Sequence, residues 1–156
     1  MRRKDREVTD LNKICDILDR CHCCRVGFND QGQVYIVPLN FGYVQSEGKF
    51  TFYFHGAQAG RKYDLIQSSP TVGFELDTDY KLNEGDMACD YSARFQSIIG
   101  TGVISMVTER EQKIAGLNHV MKQSTGKGDW QYDERMLNAV AVFKLEVTEL
   151  ACKEHL

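Results

Sequence analysis

Excess positive charge and long apolar runs are both scarce in this sequence, and each scarcity excludes something. Across 156 residues, 19 Lys and Arg stand against 22 Asp and Glu, a formal net charge of −3. No long-range positive field therefore draws nucleic acid or an anionic membrane surface, and any phosphate recognition has to be local. No apolar run approaches the ~20 residues that span a bilayer, and the opening Met1-Arg-Arg-Lys-Asp-Arg-Glu7 lacks the apolar region of a signal peptide. The expectation is a cytoplasmic protein with neither a nucleic-acid nor a membrane partner. Internal repeats and low-complexity segments are also missing, so the chain reads as one domain over residues 1–156, able to bury ~70% of its unfolded surface.

Several catalytic signatures are missing too. No nucleophile elbow Gly-x-Ser-x-Gly occurs, although His22, His55, His119 and His155 supply candidate bases. Gly56-Ala-Gln-Ala-Gly60-Arg61-Lys62 is one residue short of a P-loop between its glycines, and Tyr63 stands where a magnesium-binding Ser or Thr belongs. Gly100-Thr-Gly102 opens like a dinucleotide fingerprint, but Ser105 replaces the third glycine and the chain continues as strand. Cysteine is plentiful: Cys15, Cys21, Cys23, Cys24, Cys89 and Cys152. Without a secretion signal these are expected to be free thiols. Cys21-His-Cys-Cys24 contains a Cys-x-x-Cys, which raises redox chemistry or zinc. A redox pair opens a helix, whereas this one follows a helix end, where the dipole opposes a thiolate. Zinc requires a second ligand pair that isolated Cys89 and Cys152 do not provide, so no metal site is expected and small buried side chains are the plainer reading.

Periodicity organises the rest. Thr9 or Asp10 can cap a helix over about 10–20, with Leu11, Ile14, Cys15 and Leu18 on one stripe. Residues 24–28 and 34–43 read as a hairpin around Asn29-Asp-Gln-Gly32, and residues 49–55 as the next strand. A helix over 61–67 stops before Pro70, a strand covers 71–76, and 77–89 reads as an acidic loop. A long strand over 93–107 carries Gly100 and Gly102, which predict a bend or bulge. Thr108 can cap a second long helix to about Lys122, a polar loop carries Trp130 and Tyr132, and 139–150 is the last strand. That aromatic pair either covers a pocket or subunit contact or simply anchors its loop. Six strands with two longer helices predict an antiparallel sheet, and a small closed barrel fits that count.

The stretch from Lys49 to Lys62 bears on function most directly. Phe50, Phe52 and Phe54 alternate with Thr51, Tyr53 and His55, so one face can enter a core while the other meets a ligand. Gly56 and Gly60 allow a close turn, and Arg61 and Lys62 open the following helix. Unpaired N–H groups at a helix start, joined by a guanidinium fork and an ammonium, suit a terminal phosphate. An ordinary solvated basic pair is the competing reading. Upstream, Pro38 cannot donate to a ladder, so Val37 to Asn40 either protects a sheet edge or leaves backbone groups free for a ligand.

Taken together, Tyr35-Ile-Val-Pro-Leu-Asn-Phe-Gly-Tyr43, Phe52-Tyr-Phe-His-Gly-Ala57, Gly60-Arg-Lys62, Ala88-Cys-Asp90 and Arg94-Phe-Gln-Ser-Ile-Ile-Gly100 resemble the FMN-binding split-barrel flavoproteins of the pyridoxamine 5'-phosphate oxidase-like superfamily. More narrowly they resemble its 5-nitroimidazole-resistance (Nim) related branch. The resemblance runs from Arg2 to about Leu150 and implies a mainly β, six-stranded antiparallel split barrel with flanking helices, homodimeric, with FMN at the subunit interface. It implies that Val37, Pro38, Leu39 and Asn40 line the flavin ring edge, that Phe54 and His55 lie beside the ring and ribityl chain, and that Arg61, Lys62 and Ser97 take the phosphate. It further implies His55 as the side chain nearest the substrate, able to donate or relay a proton, the alternative being a polar residue at a strand end. The function so implied is an FMN-dependent oxidoreductase that reduces a small electron-poor substrate in the manner of a nitroreductase. The alternative is a flavin-binding or stress-related module without turnover. No basic cluster near the C-terminus suits a second, substrate phosphate, which argues against vitamin B6 oxidation.

Overall fold

The structure, a computed structural model, describes residues 3–156; Met1 and Arg2, the first two residues of the expected domain, lie outside it. A short 3-10 turn, Lys4–Arg6, leads into β1 (Glu7–Val8), α1 (Leu11–Arg20), β2 (Cys24–Asp30), β3 (Gln33–Leu39), β4 (Gly42–Ser46) and β5 (Lys49–Gly56). Then follow α2 (Arg61–Ser68), β6 (Thr71–Asn83), β7 (Ser92–Val107), α3 (Arg110–Thr125), α4 (Glu134–Ala139) and β8 (Ala141–His155). All six expected strands are present. The count rises to eight because the long return strand breaks at Asn40 and Phe41 into β3 and β4, and because two-residue β1 pairs with β8.

The strands form one antiparallel sheet in the order β3-β2-β6-β7-β8-β5-β4. Its two ends, β3 and β4, are consecutive in the chain but not paired, so the sheet curls without closing, unlike the closed barrel that strand count alone predicted. Inward residues of the strands form the core: Val26 and Phe28 on β2, Phe52 and Phe54 on β5, Phe74 and Leu76 on β6, Ile98 and Ile104 on β7, Phe143 and Leu145 on β8. Phe52 meets Phe41 at 5.8 Å and Phe74 at 5.2 Å in edge-to-face contacts that the ring quadrupoles favour. Curvature is concentrated where the sequence predicted it. The β7–β8 register slips between Thr101 and Gly102, and a Cβ at Gly102 would lie 2.4 Å from the Glu146 carbonyl oxygen. Side chains there would block the bend, which is why glycine is needed.

The helices close the barrel. Asp10 caps α1 by accepting from the Lys13 N–H at 2.8 Å, and Ile14, Ile17 and Leu18 enter the core. α2 stops one barrel end with Leu65 and Ile66. α3 lies across β4 and β5 so closely that a Cβ at Gly42 would sit 2.1 Å from the His119 carbonyl carbon. Thr108 does not cap α3, because Glu109 remains extended and the helix begins at Arg110. Residues 77–83 are not a loop but the outer part of β6, exposed on both faces, with a register shift between Thr78 and Lys81 around Asp79 at φ 56°. Among the described residues no helix is long and apolar enough to cross a membrane.

Candidate functional site

β5 alternates as its sequence predicts: Phe50, Phe52 and Phe54 are buried and Thr51, Tyr53 and His55 face outward. α3 covers part of that outward face. Tyr53 stacks on His119 with ring centroids 5.1 Å apart and planes 19° from parallel, and a Cβ at Gly116 would come 2.8 Å from the Tyr53 ring. The expectation of a ligand-facing side therefore narrows to His55 at the strand end, which remains exposed.

His55 stands at a seam. β4 pairs with β5 only as far as Gly42 opposite Tyr53, whereas β5 pairs with β8 on to Gly56 opposite Ala141. From Phe54 to Gly56, β5 thus has no ladder partner on its β4 side. The opposite sheet end, β3, pairs with β2 alone, with Pro38 opposite Arg25 and Leu39 opposite Cys24. Pro38 accordingly sits on an edge strand, where its missing N–H costs no ladder bond on the free side. The main chain of Val37, Pro38, Leu39 and Asn40 borders the seam on one side and that of Phe54 and His55 on the other, but the Leu39 and Phe54 side chains are buried in the core, contrary to the expectation that Phe54 lies beside a ring. Main-chain groups along such edges need partners other than strands.

α2 bridges the seam with its first two residues. Arg61 lies 4.2 Å over the Tyr35 ring of β3, and its Nε donates to Asp30 Oδ2 at 2.7 Å. Lys62 reaches the other side, its Nζ 5.2 Å from the centroid of the Phe143 ring of β8 and only 2.7 Å from where a Cβ on Gly56 would be. Gly56 thus leaves the slot that the ammonium uses. Gly60, at φ 105°, turns the chain into the helix in a conformation L side chains rarely adopt. Partial burial pushes the Lys62 pKa down, and partial burial together with the nearby Lys62 charge pushes His55 down from 6.5. Both influences favour the neutral imidazole. Asp30 lies against both Nε and Nη2 of Arg61 and offsets part of its charge, which leaves the outward guanidinium N–H groups and the Lys62 ammonium to meet an anion.

Ser97 does not join this corner within the chain, contrary to expectation. It pairs with Asp77 on β6 and Lys153 on β8, whereas Lys62 packs on Phe143, ten residues away along β8 and so roughly 30 Å distant at ~3.3 Å per residue. Motif order could not show this, because strand register decides which end of β7 meets α2. Asp30, Tyr35 and Phe143 hold the two cations and were not predicted; their only sequence signals were the turn at 29–32 and the alternation of β3 and β8. Gln58, also unpredicted, donates to the Asn138 carbonyl at 2.5 Å from within the glycine turn.

The cysteine segment has the opposite character. Cys21 and Cys24 are fully buried, and burial, with nearby acidic side chains adding to it, pushes the Cys21 thiol up to about 12. Burial raises Cys24 further. All six cysteines are free, and among the described residues no group of three or more His, Cys, Asp or Glu is arranged to hold a metal. A groove of about 840 Å³ between β1, α1 and β8 contains none of the predicted site residues and no pair of cations.

An open antiparallel barrel with a cationic helix start across its seam defines a split-barrel protein. Residues 10–154 match the pyridoxamine 5'-phosphate oxidase family, and the chain belongs to it. Among solved structures, it is similar to a candidate 5-nitroimidazole antibiotic resistance protein from Bacteroides thetaiotaomicron, at 28% identity and TM-score 0.81 over 95% of this chain and 86% of that one. The expected superfamily and its Nim-related branch therefore hold. A flavocytochrome from Azotobacter vinelandii shares the fold at 21% identity and TM-score 0.81, covering 100% of this chain and 72% of that one. An FAD and heme binding protein from Mycobacterium smegmatis shares it at 14% and 0.82, covering 96% and 73%. No curated protein matches the sequence significantly.

Proposed function

We propose that the seam binds FMN and that the protein is an FMN-dependent oxidoreductase acting on a small electron-poor organic molecule, in the manner of a nitroreductase. The observation that carries this reading is the start of α2, where Arg61 touches β3 and Lys62 touches β5 and β8, so that a phosphate held there leaves an attached ring against unpaired strand edges. The residues fit the group: a dianion meets two cations and helix N–H groups, and a flat ring meets the strand edges of residues 37–40 and 54–56, where Pro38, Asn40 and His55 are the exposed side chains and Leu39 and Phe54 are turned into the core. Bound FMN would supply two-electron redox chemistry, recharged by a nicotinamide donor. The chain supplies position and electrostatics. His55, beside Lys62, acts as hydrogen-bond donor or proton relay; burial is the main influence that lowers its pKa, and a phosphate dianion near Lys62 offsets the smaller, charge-based part.

The outer sheet face supports a homodimer with FMN at its interface. Ile36, Gly27, Gly73 and Thr101 lie in one cross-strand row, and on the same face Val34, Ile36 and Ile99 are 77%, 61% and 54% exposed. Apolar side chains flanking a trough of glycines suit burial against a second copy, and that face adjoins β3 and hence the seam. Ser97 would serve such a phosphate only from the partner copy.

Reconstitution with FMN followed by steady-state reduction of a nitroaromatic with NADH or NADPH tests the reading. Bound flavin with a saturable rate that His55→Gln lowers supports it. Bound flavin with no saturable rate favours the module without turnover, and no bound flavin overturns the cofactor itself.

A further inference from the structure

α4 ends without the glycine that stops many helices. Its terminal carbonyls are satisfied from two other elements instead. Lys113 Nζ on α3 donates to the carbonyls of Leu137 at 2.7 Å and Val140 at 2.8 Å. Gln58 Nε2, in the glycine turn, donates to those of Asn138 at 2.5 Å and Val140 at 3.3 Å, which uses both amide hydrogens. The node lies directly behind the site, because β8 begins at Ala141, the partner of Gly56, and continues with Val142, the partner of His55.

The turn has little else to hold it. Among the described residues, the main-chain groups of Ala57, Gln58 and Ala59 make no hydrogen bond to other main chain, and glycines bound the turn at both ends. Gln58 is therefore the polar tie between that turn and the barrel. We infer that Gln58 is a positioning residue for the cofactor corner, fixing the 56–60 turn against the α4–β8 junction so that the start of α2 and His55 keep their spacing across the seam. This rests on the FMN reading and adds a residue to it.

The test compares FMN dissociation constants, read by quenching of FMN fluorescence, for the wild-type chain, Gln58→Ala, Gln58→Glu and Thr125→Ala. Thr125 donates to the Met121 carbonyl at 2.7 Å at the far end of α3 and serves as the control for general destabilisation. Both Gln58 variants are expected to raise the constant about tenfold and shift the bound-flavin visible band, while the apo-protein melts within about 2 °C of wild type. Thr125→Ala lowers the melting temperature and leaves the constant unchanged. A Gln58→Ala protein that binds FMN as tightly as wild type, whatever its melting temperature, overturns the inference and leaves the FMN reading intact. A wild-type protein that binds no FMN removes both.

Discussion

The start of α2 and the segment after α1 both carry side chains that look reactive, and they differ in which helix end they occupy and how much water they see. Arg61 and Lys62 open a helix, where unpaired N–H groups and the dipole reinforce their charge toward an open seam. Cys21 follows a helix end, accepts no help from the dipole, and is sealed in the core with Cys24, where burial keeps both thiols protonated. A motif thus acquires chemistry from its place on an element and its exposure. The same two facts make the comparison breakable.

The largest effect is expected from Arg61→Ala with Lys62→Ala. Losing two charge-assisted contacts of about 1.5–3 kcal/mol each raises the FMN dissociation constant more than a hundredfold. The guanidinium is half exposed, so the melting temperature should change little, and differential scanning calorimetry alongside FMN titration checks both halves. Cys24→Ser should do the reverse. A hydroxyl in that buried position costs about 2 kcal/mol of stability by urea denaturation, with FMN affinity and metal content unchanged. Altered FMN affinity there would erase the contrast.

How far the contrast was legible beforehand depends on the physics behind each feature. The alternation of β5, a cap at Thr9 or Asp10, a ladder interruption at Pro38 and the helix start at Arg61 are local, and the residues themselves indicate them. The β6 extension past Asp77 was not legible, because residues exposed on both faces carry no alternation and a bulge at Asp79 interrupts them. α4 escaped notice because it spans six residues and is ended by Lys113 and Gln58, which are distant in sequence. The distance of Ser97 from the start of α2 in its own chain was hidden for a similar reason, since only strand register reveals it.

Gly56→Ala sharpens the comparison at finer scale. The added methyl displaces the flexible end of Lys62 rather than any backbone, so FMN affinity should fall about tenfold with almost no loss of stability. Unchanged affinity would mean that the ammonium does not need its slot. The smallest effect concerns pH. Burial, together with Lys62 in one case and Lys122 in the other, lowers the pKa of His55 and His119, so the unfolded chain binds their protons first, at about 6.5. Their contribution is fully present above 6.5 and is lost as pH falls through that value toward the lower folded pKa. The apo melting temperature of His55→Gln with His119→Gln should therefore fall less than that of wild type between about pH 7.5 and about pH 5.5. An equal fall in both proteins would remove this charge assignment.

The most direct measurement is the visible spectrum of the full chain after incubation with FMN and removal of free ligand, taken for wild type and for Arg61→Ala with Lys62→Ala. The account predicts a yellow wild-type protein with close to one FMN per chain and a colourless variant that is still folded. A colourless wild type, or a variant that stays as yellow as wild type, would contradict it.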